Sequence, residues 1–336
     1  MGKILYIGNN LRDNKTNISS IRTLGPLLET VGYTVYYTSH FKNKFFRLLH
    51  MVYSLLTINR SVDYVLIDTY STLNFYYALI TSQITRILNI PYITNLNGGN
   101  LPHRLDKSPK LSRLIFKNAY KNVAPSKYLQ KSFEDHGYLN TIHIPNTIEI
   151  KNYPYRERDF DMIRLLWVRS FSKIYNPQLA IKILKQLQDK GIKASLSMVG
   201  PDSDGSYKDV KNLAKNLNVE VDFTGKLSKE DWIKLSEEHN IFINTTNFDN
   251  TPISVIEAMA LGLPVISTNV GGMPYLIDHN ENGILVAPDD VSSFVDAILW
   301  VLNNKLEVRN MTIKARKKVE DYDWEQVKTQ WLEVLK

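Results

Sequence analysis

Residues 241–276 read IFINTTNFDNTPISVIEAMALGLPVISTNVGGMPYL. A short apolar run, IFINTT, gives way to the polar loop NFDNTP. An apolar helical pattern follows and turns through Gly262 and Pro264 into a second apolar run, PVISTN. That succession is strand, loop, helix, strand, the repeating unit of a parallel sheet. Asn250, Thr251, Pro252, Ile253 and Ser254 stand at the expected helix N-terminus, where free backbone N–H groups and the helix dipole favour an anion. Asp249 lies in the loop, and Glu257 falls eight positions later inside the apolar helix. A buried helix explains the apolar residues but not a carboxylate among them. Two carboxylates at the rim of an anion site suit a ligand carrying both phosphate and hydroxyls, such as a nucleotide-sugar.

The same alternation extends in both directions. The first half contains the strand patterns KILYIG, TVYYTS, YVLIDT, YITNLN, NVAPS and TIHIPN, and the second RLLWVRS, ASLSMVG, VEVDFTG, IFINTT, PVISTN and GILVAP. Helical patterns lie between them: SKYLQKSFEDHG ends at Gly137, and NPQLAIKILKQLQDKG has Pro177 in its first turn and Gly191 just past its end. At 336 residues the chain exceeds one ordinary core. We expect an α/β protein of two doubly wound, Rossmann-like domains, with a polar linker near IEIKNYPYRERDFDMI. The expected boundaries are 1–155, 156–310 and a helical tail, 311–336, packing back on the first domain. Ligands in such sheets bind beyond the carboxyl ends of the strands, so the active site is expected in a cleft between the domains.

Composition narrows the function. The chain has no cysteine, hence no disulfide framework and no thiolate metal site. The opening MGKILYIGNN reads as a strand, not a signal peptide, and no apolar run reaches the length of a membrane span. A cytoplasmic protein is expected, or one peripheral on the inner face of the cell membrane. Residues 1–155 carry 18 Lys and Arg against 8 Asp and Glu, whereas residues 156–336 carry 23 against 26. The basic half suits an anionic partner, a membrane surface or a charged acceptor, and no nucleic-acid module is recognisable. Neither GxGxxG nor GxxxxGK[ST] is present, which leaves hydride-transfer and P-loop readings without a motif.

The stretch DNTPISVIEAMALGLPVISTNVGG resembles the signature of glycosyltransferase family 4, retaining enzymes of GT-B fold, in which two acidic residues bracket seven others. The resemblance implies a hexosyltransferase-type enzyme of cell-surface polysaccharide or glycolipid synthesis. A nucleotide-diphosphate-sugar would be its donor substrate and a glycan or glycolipid its acceptor, with no cofactor and no metal. It implies that Glu257 holds the nucleotide ribose and that Asp249, one methylene shorter than the family's Glu, contacts the transferred sugar. Asn250, Thr251, Ile253 and Ser254 would bind the pyrophosphate. Arg169 and Lys173, in LLWVRSFSKIYNP, would stabilise the leaving diphosphate, although the family spaces this pair differently. Gly200 would let the backbone approach the donor, and Lys226 and Leu227 would cup the base. On the acceptor side, NLNGGNLPHRL supplies Asn97, Gly98, Gly99, Asn100 and His103. Asn97 stands near a place where the family has His and can hydrogen-bond a sugar without shuttling a proton. Arg12, Lys15 and a helix start near Thr16 could face an anionic acceptor or the donor phosphates.

A non-catalytic nucleotide-sugar or glycan-binding relative, or a GT-B sugar-nucleotide epimerase, would share the motif. Of three Asp-x-Asp pairs, only Asp202/Asp204 follows a strand end near the proposed site, and PDSDG also reads as a turn. The segment HFKNKFFRLLHMVYSLLTINR mixes bases with apolar residues at helical spacing. It is either a core helix with a basic outer face or a membrane-surface helix.

Overall fold

The computed structural model describes residues 2–11, 19–58 and 61–336; Arg12, Lys15 and Thr16 lie outside the described residues. The chain divides into two units, residues 1–146 with 324–336, and residues 147–323.

The first unit is built on β1 (Lys3–Ile7), β2 (Thr34–Tyr37), β3 (Tyr64–Thr69), β4 (Tyr92–Leu96), β5 (Lys121–Ala124) and β6 (Thr141–His143). They form one parallel sheet in the order β2-β1-β3-β4-β5-β6. Among the described residues the helices α1 (Leu24–Thr30), α2 (Lys44–Ile58), α3 (Asn74–Ile87), α4 (Leu101–Lys107), α5 (Pro109–Phe116) and α6 (Lys127–Asp135) lie between them. Strand residues alternate between two cores. Leu5, Ile7, Val65 and Ile67 face Met51 of α2, Phe75 of α3 and Phe116 of α5. Ile4, Tyr6, Leu66 and Ile93 face the other way, onto α1 and the C-terminal helix.

The second unit repeats the plan with β7 (Ile163–Val168), α7 (Pro177–Asp189), β8 (Ala194–Val199), α8 (Ser206–Asn216), β9 (Asp222–Gly225), α9 (Lys229–Ser236), β10 (Ile241–Asn244), α10 (Ile253–Ala260), β11 (Val265–Thr268), α11 (Met273–Leu276), β12 (Ile284–Val286), α12 (Val291–Asn303) and α13 (Lys305–Glu320). Its parallel order is β12-β11-β10-β7-β8-β9. The central strands β7 (IRLLWV) and β10 (IFIN), covered on both faces, are largely apolar, whereas the edge strand β9 (DFTG) is only partly buried. Among the described residues no helix is long and apolar enough to cross a membrane.

The division differs from the expected boundaries. Residues 147–155 belong to the second unit because Ile148 bridges Asp323, Ile148 N–H donates to the Tyr322 carbonyl at 3.0 Å, and Tyr153 is buried there. The tail also splits later than residue 311. Ala315 and Val319 of α13 pack beside α10, and only α14 (Trp324–Val334) joins the first unit. Trp324, Val327, Trp331, Val334 and Leu335 are its buried contacts there, whereas Leu332 is half-buried.

Candidate functional site

The loop from β10 to α10 carries Asp249 at the carboxyl edge of the second sheet. Its conformation depends on the glycine pair beyond β11. Gly272 N–H donates to the Asp249 carbonyl at 2.9 Å. A Cβ at Gly272 would lie 1.8 Å from the Asn250 carbonyl oxygen, so only glycine lets the two loops touch. Asp249 Oδ1 accepts the Asn250 N–H at 2.8 Å, and Oδ2 pairs with Arg169, which follows β7. The Arg169 guanidinium also sits over the Tyr175 ring, 4.0 Å from its centroid. Its Nε is buried without a hydrogen-bond partner among the described residues. The Arg169 backbone is held against Gly200, where a Cβ would come within 1.8 Å of the Arg169 carbonyl oxygen. Two residues read separately from the sequence thus form one polar unit.

Asn250, Thr251 and Ser254 are buried at the N-terminus of α10, and Ile253 is exposed. Pro252 precedes the first turn without a side-chain cap. The Ser254 hydroxyl is buried and has no hydrogen-bond partner among the described residues. A helix start with an unpartnered hydroxyl, beside a guanidinium, is suited to an anion.

Lys173 is exposed at the start of a short 3₁₀ turn, and its backbone N–H donates to Asp204 Oδ2 at 2.9 Å. Ser172 Oγ donates to the same oxygen, also at 2.9 Å. Desolvation would raise the Asp204 pKa, but hydrogen bonds from Ser206, the Lys173 N–H and Ser172 outweigh it and lower it to about 2. Asp202 Oδ1 accepts the Gly205 N–H at 2.9 Å. The pair is a turn in which both carboxylates accept backbone N–H groups. No cluster of three or more His, Cys, Asp or Glu residues fit to hold a metal occurs among the described residues.

Glu257 is almost wholly buried in α10. Tyr153 Oη donates to its Oε1 at 2.7 Å, and the Lys229 ammonium contacts the same oxygen. Burial pushes the Glu257 pKa up, while Lys229 and then Tyr153 pull against it. No protein partner of Oε2 occurs among the described residues. Leu227 is half-buried beside this core and Lys226 is exposed.

On the first unit, Asn97 does not present a free amide. Its Nδ2 donates to Asp68 Oδ1 at 2.9 Å, and its Oδ1 accepts Ser20 Oγ at 2.6 Å. Its Nδ2 also donates to the Asn95 carbonyl at 3.3 Å, so both amide hydrogens are engaged, and a sugar hydroxyl could reach only the second lone pair of Oδ1. Asp68 is the hub. Its Oδ1 also accepts Tyr6 Oη and Asn95 Nδ2, each at 3.0 Å, and Oδ2 accepts the Ile21 N–H at 3.3 Å. Gly8 makes room for it, since a Cβ there would stand 2.6 Å from Oδ2. Gly98 and Gly99 are half-buried in the following turn. Asn100 and His103 are exposed, at the start of α4 and within it.

Residues 157–319 match the family Glycosyl transferases group 1. That match lies within the second unit, which resembles this family. An uncharacterized glycosyltransferase of Haemophilus influenzae is 26% identical over 259 residues, covering 77% of this chain and 71% of that protein. The sulfoquinovosyl transferase SQD2 of Arabidopsis thaliana is 30% identical over 43% of this chain and 28% of its own length. For the N-acetyl-alpha-D-glucosaminyl L-malate synthase of Bacillus anthracis the identity is 28%, over 50% of this chain and 43% of that protein. The chain therefore spans less than half the length of these last two relatives. The fold is GT-B: sucrose-phosphate synthase from Thermosynechococcus elongatus superposes with TM-score 0.84 at 16% identity over 99% of this chain and 98% of that chain. Anabaena Alr3699/HepE, in complex with UDP-glucose, gives 0.80 at 17% identity, covering 100% and 99%.

Within the second unit Arg169 pairs with Asp249, and Lys229 and Tyr153 join Glu257 although no local pattern announces them; within the first unit Asp68 is equally unannounced. Lys229 and Tyr153 meet Glu257 from 28 and 104 residues away. Glu257→Gln, which keeps an acceptor for Tyr153, and Glu257→Ala are both expected to weaken binding of the preferred nucleoside diphosphate. For Ala the loss is about 1.5–3 kcal/mol, as for a hydrogen bond to a charged group. Calorimetry on a folded variant decides it: unchanged affinity would exclude a nucleotide-binding role for Glu257.

Proposed function

We propose that this glycosyltransferase moves a sugar from a nucleoside-diphosphate-sugar to a hydroxyl of a glycan or glycolipid, with retention at the anomeric carbon. The observation that carries the reading is the Arg169–Asp249 pair beside the N-terminus of α10, with Glu257 further along the same helix. Diphosphate oxygens would take the N–H groups of the first turn and the unpartnered Ser254 hydroxyl, and Arg169 would meet the charge that grows on the leaving phosphate. Oε2 of Glu257 would accept the ribose hydroxyls. Asp249, oriented by Arg169, would accept a hydroxyl of the transferred sugar. The acceptor hydroxyl would attack from the face that the diphosphate leaves, and the departing phosphate oxygen would take its proton. The complex of Alr3699/HepE with UDP-glucose supports the donor class. The TarM variant solved with Fondaparinux, alpha-GlcNAc-glycerol and UDP supports a glycan acceptor. We place the reaction in cell-surface polysaccharide or glycolipid synthesis, at the inner face of the membrane, where such acceptors are held.

A panel of UDP-, GDP-, ADP- and dTDP-linked sugars tests the reading. One donor is expected to raise Tm and to be hydrolysed with retained anomeric configuration by NMR. Failure of every donor to bind, or inversion, would overturn it. We also propose that no metal takes part, because the anion site is built from N–H groups and Arg169, while Asp202 and Asp204 serve a turn. Turnover is expected to be unchanged in EDTA. Loss on chelation with rescue by Mn²⁺ or Mg²⁺ would count against this assignment.

A further inference from the structure

Helix α2 has two apolar faces. Met51 and Leu55 are buried against the first sheet, as one stripe of a surface helix should be. The opposite stripe, Phe45, Phe46, Leu49, Tyr53 and Leu56, points outward, with Phe45 65% and Tyr53 64% exposed. The outer face is therefore aromatic, which overturns the reading of α2 as a core helix with a basic outer face. The neighbouring helices continue the surface. α2 packs on α3 and α3 on α5, and Tyr76, Ile80 and Leu114 are exposed on these two. Exposed apolar side chains gathered on three helices that pack in succession mark an interaction site.

Charge identifies the occupant. The sequences of α2, α3 and α5 contain no Asp or Glu, and none occurs between Glu29 and Asp63. Lys42, Lys44, Arg86, Lys110, Arg113 and Lys117 are exposed within or beside them. Three acid-free helices with aromatic residues between bases complement an anionic bilayer, whose headgroups attract the bases while the rings enter the interface. A second copy paired through the same flank would set positive charge against positive charge.

We propose that the α2–α3–α5 flank docks this enzyme on an anionic lipid bilayer, with the α2 aromatics inserted at the headgroup level. This deepens the membrane-side location proposed above and is independent of the donor chemistry. Arg47 is not one of the lipid contacts. It is buried, donating from Nε to the Phe41 carbonyl and from Nη2 to the Lys42 carbonyl, both at 2.9 Å, and from Nη1 to Asn9 Oδ1 at 3.0 Å. It pins the turn that presents Phe41 and Lys42.

Co-sedimentation with phosphatidylcholine vesicles, with and without about 30% phosphatidylglycerol, tests the proposal. Binding to the anionic vesicles is expected at low salt, with a residue persisting at about 0.5 M salt, where charge is screened but insertion is not. Replacing Phe45, Phe46 and Tyr53 by Ser should weaken partitioning roughly tenfold per aromatic removed. Lys42→Gln with Lys110→Gln should weaken only the low-salt component. Because the serines stand at exposed positions, Tm and donor hydrolysis in solution should not change, so failed docking is distinguishable from failed chemistry. Absence of binding to either vesicle, or binding that the triple serine variant leaves intact, would overturn the proposal. So would a vesicle-free dimer that the serine variant dissociates.

Discussion

Replacing Arg169 by Ala is expected to lower kcat by about 10²–10³-fold, the range found when one preorganised group facing developing charge is removed. Three features of the structure concentrate the effect. The guanidinium is held on both sides, by the Tyr175 ring and by Asp249, so it need not reorganise as the leaving phosphate gains charge. It is largely withdrawn from solvent, with 16% of its side chain exposed and 13% of that of Asp249. Its loss also strands the Asp249 carboxylate next to the proposed diphosphate position, adding repulsion to lost attraction. Arg169→Lys should recover little, because a single ammonium cannot both stack on a ring and donate from a planar fork. Combining Arg169→Ala with Asp249→Asn should cost less than the two single effects together, since the second change removes the stranded charge. A kcat within threefold of wild type in Arg169→Ala would exclude it from the leaving-group site.

The sheets were legible because parallel strands covered on both faces must be apolar throughout. Runs such as YVLIDT and IFINTT, bounded by polar and glycine residues, therefore declare themselves. The motif was legible for a related reason: Gly271 and Gly272 stand where another backbone passes too close for a side chain, so the sequence records a contact between two loops. Charge pairing leaves no such record. Nothing near Lys229 in KLSKEDW indicates that its ammonium reaches Glu257, and nothing in YVLIDT says that Asp68 will gather hydrogen bonds from three other segments. Helix α2 shows a different limit. Its periodicity reveals two apolar stripes, but only the packed structure tells which stripe meets the sheet. The boundary at 146/147 was missed because residues 147–150 attach to residues 322–323 from far along the chain, through the Ile148 N–H to the Tyr322 carbonyl, Thr147 Oγ1 to the same carbonyl and the Ile150 N–H to Asp323 Oδ1.

Between pH 5 and 8 the wild-type first unit is expected to lose roughly 3 kcal/mol of stability relative to Asp68→Asn. Burial pushes the Asp68 pKa from 3.8 up to about 7, against the opposing pull of hydrogen bonds from Asn95, Tyr6, the Ile21 N–H and Asn97. An acid whose pKa is raised on folding binds its proton more tightly in the native state. Its stabilising contribution is complete below pH 3.8 and declines as pH rises, until the native carboxyl ionises near 7. The slope in that window is about 1.4 kcal/mol per pH unit. Asn cannot ionise, so it keeps a constant offset for any altered hydrogen bond. Tyr6 and Tyr70, whose pKa values are raised chiefly by burial, stay neutral throughout. Shifts elsewhere, such as the raised Glu257 and His136 and the lowered His50, His143 and His239, occur in both proteins and cancel in the difference. Amide exchange in β3 and β4, measured from pH 5 to 8 and corrected for intrinsic rates, reads this difference in the first unit itself, without assuming that both units unfold together. Because Asp68 holds Asn97 and Asn97 holds Ser20, protection of residues 97–100 should change over the same pH range in wild type only. A difference that stays flat would mean that the hydrogen bonds to Asp68, not its burial, govern its ionisation.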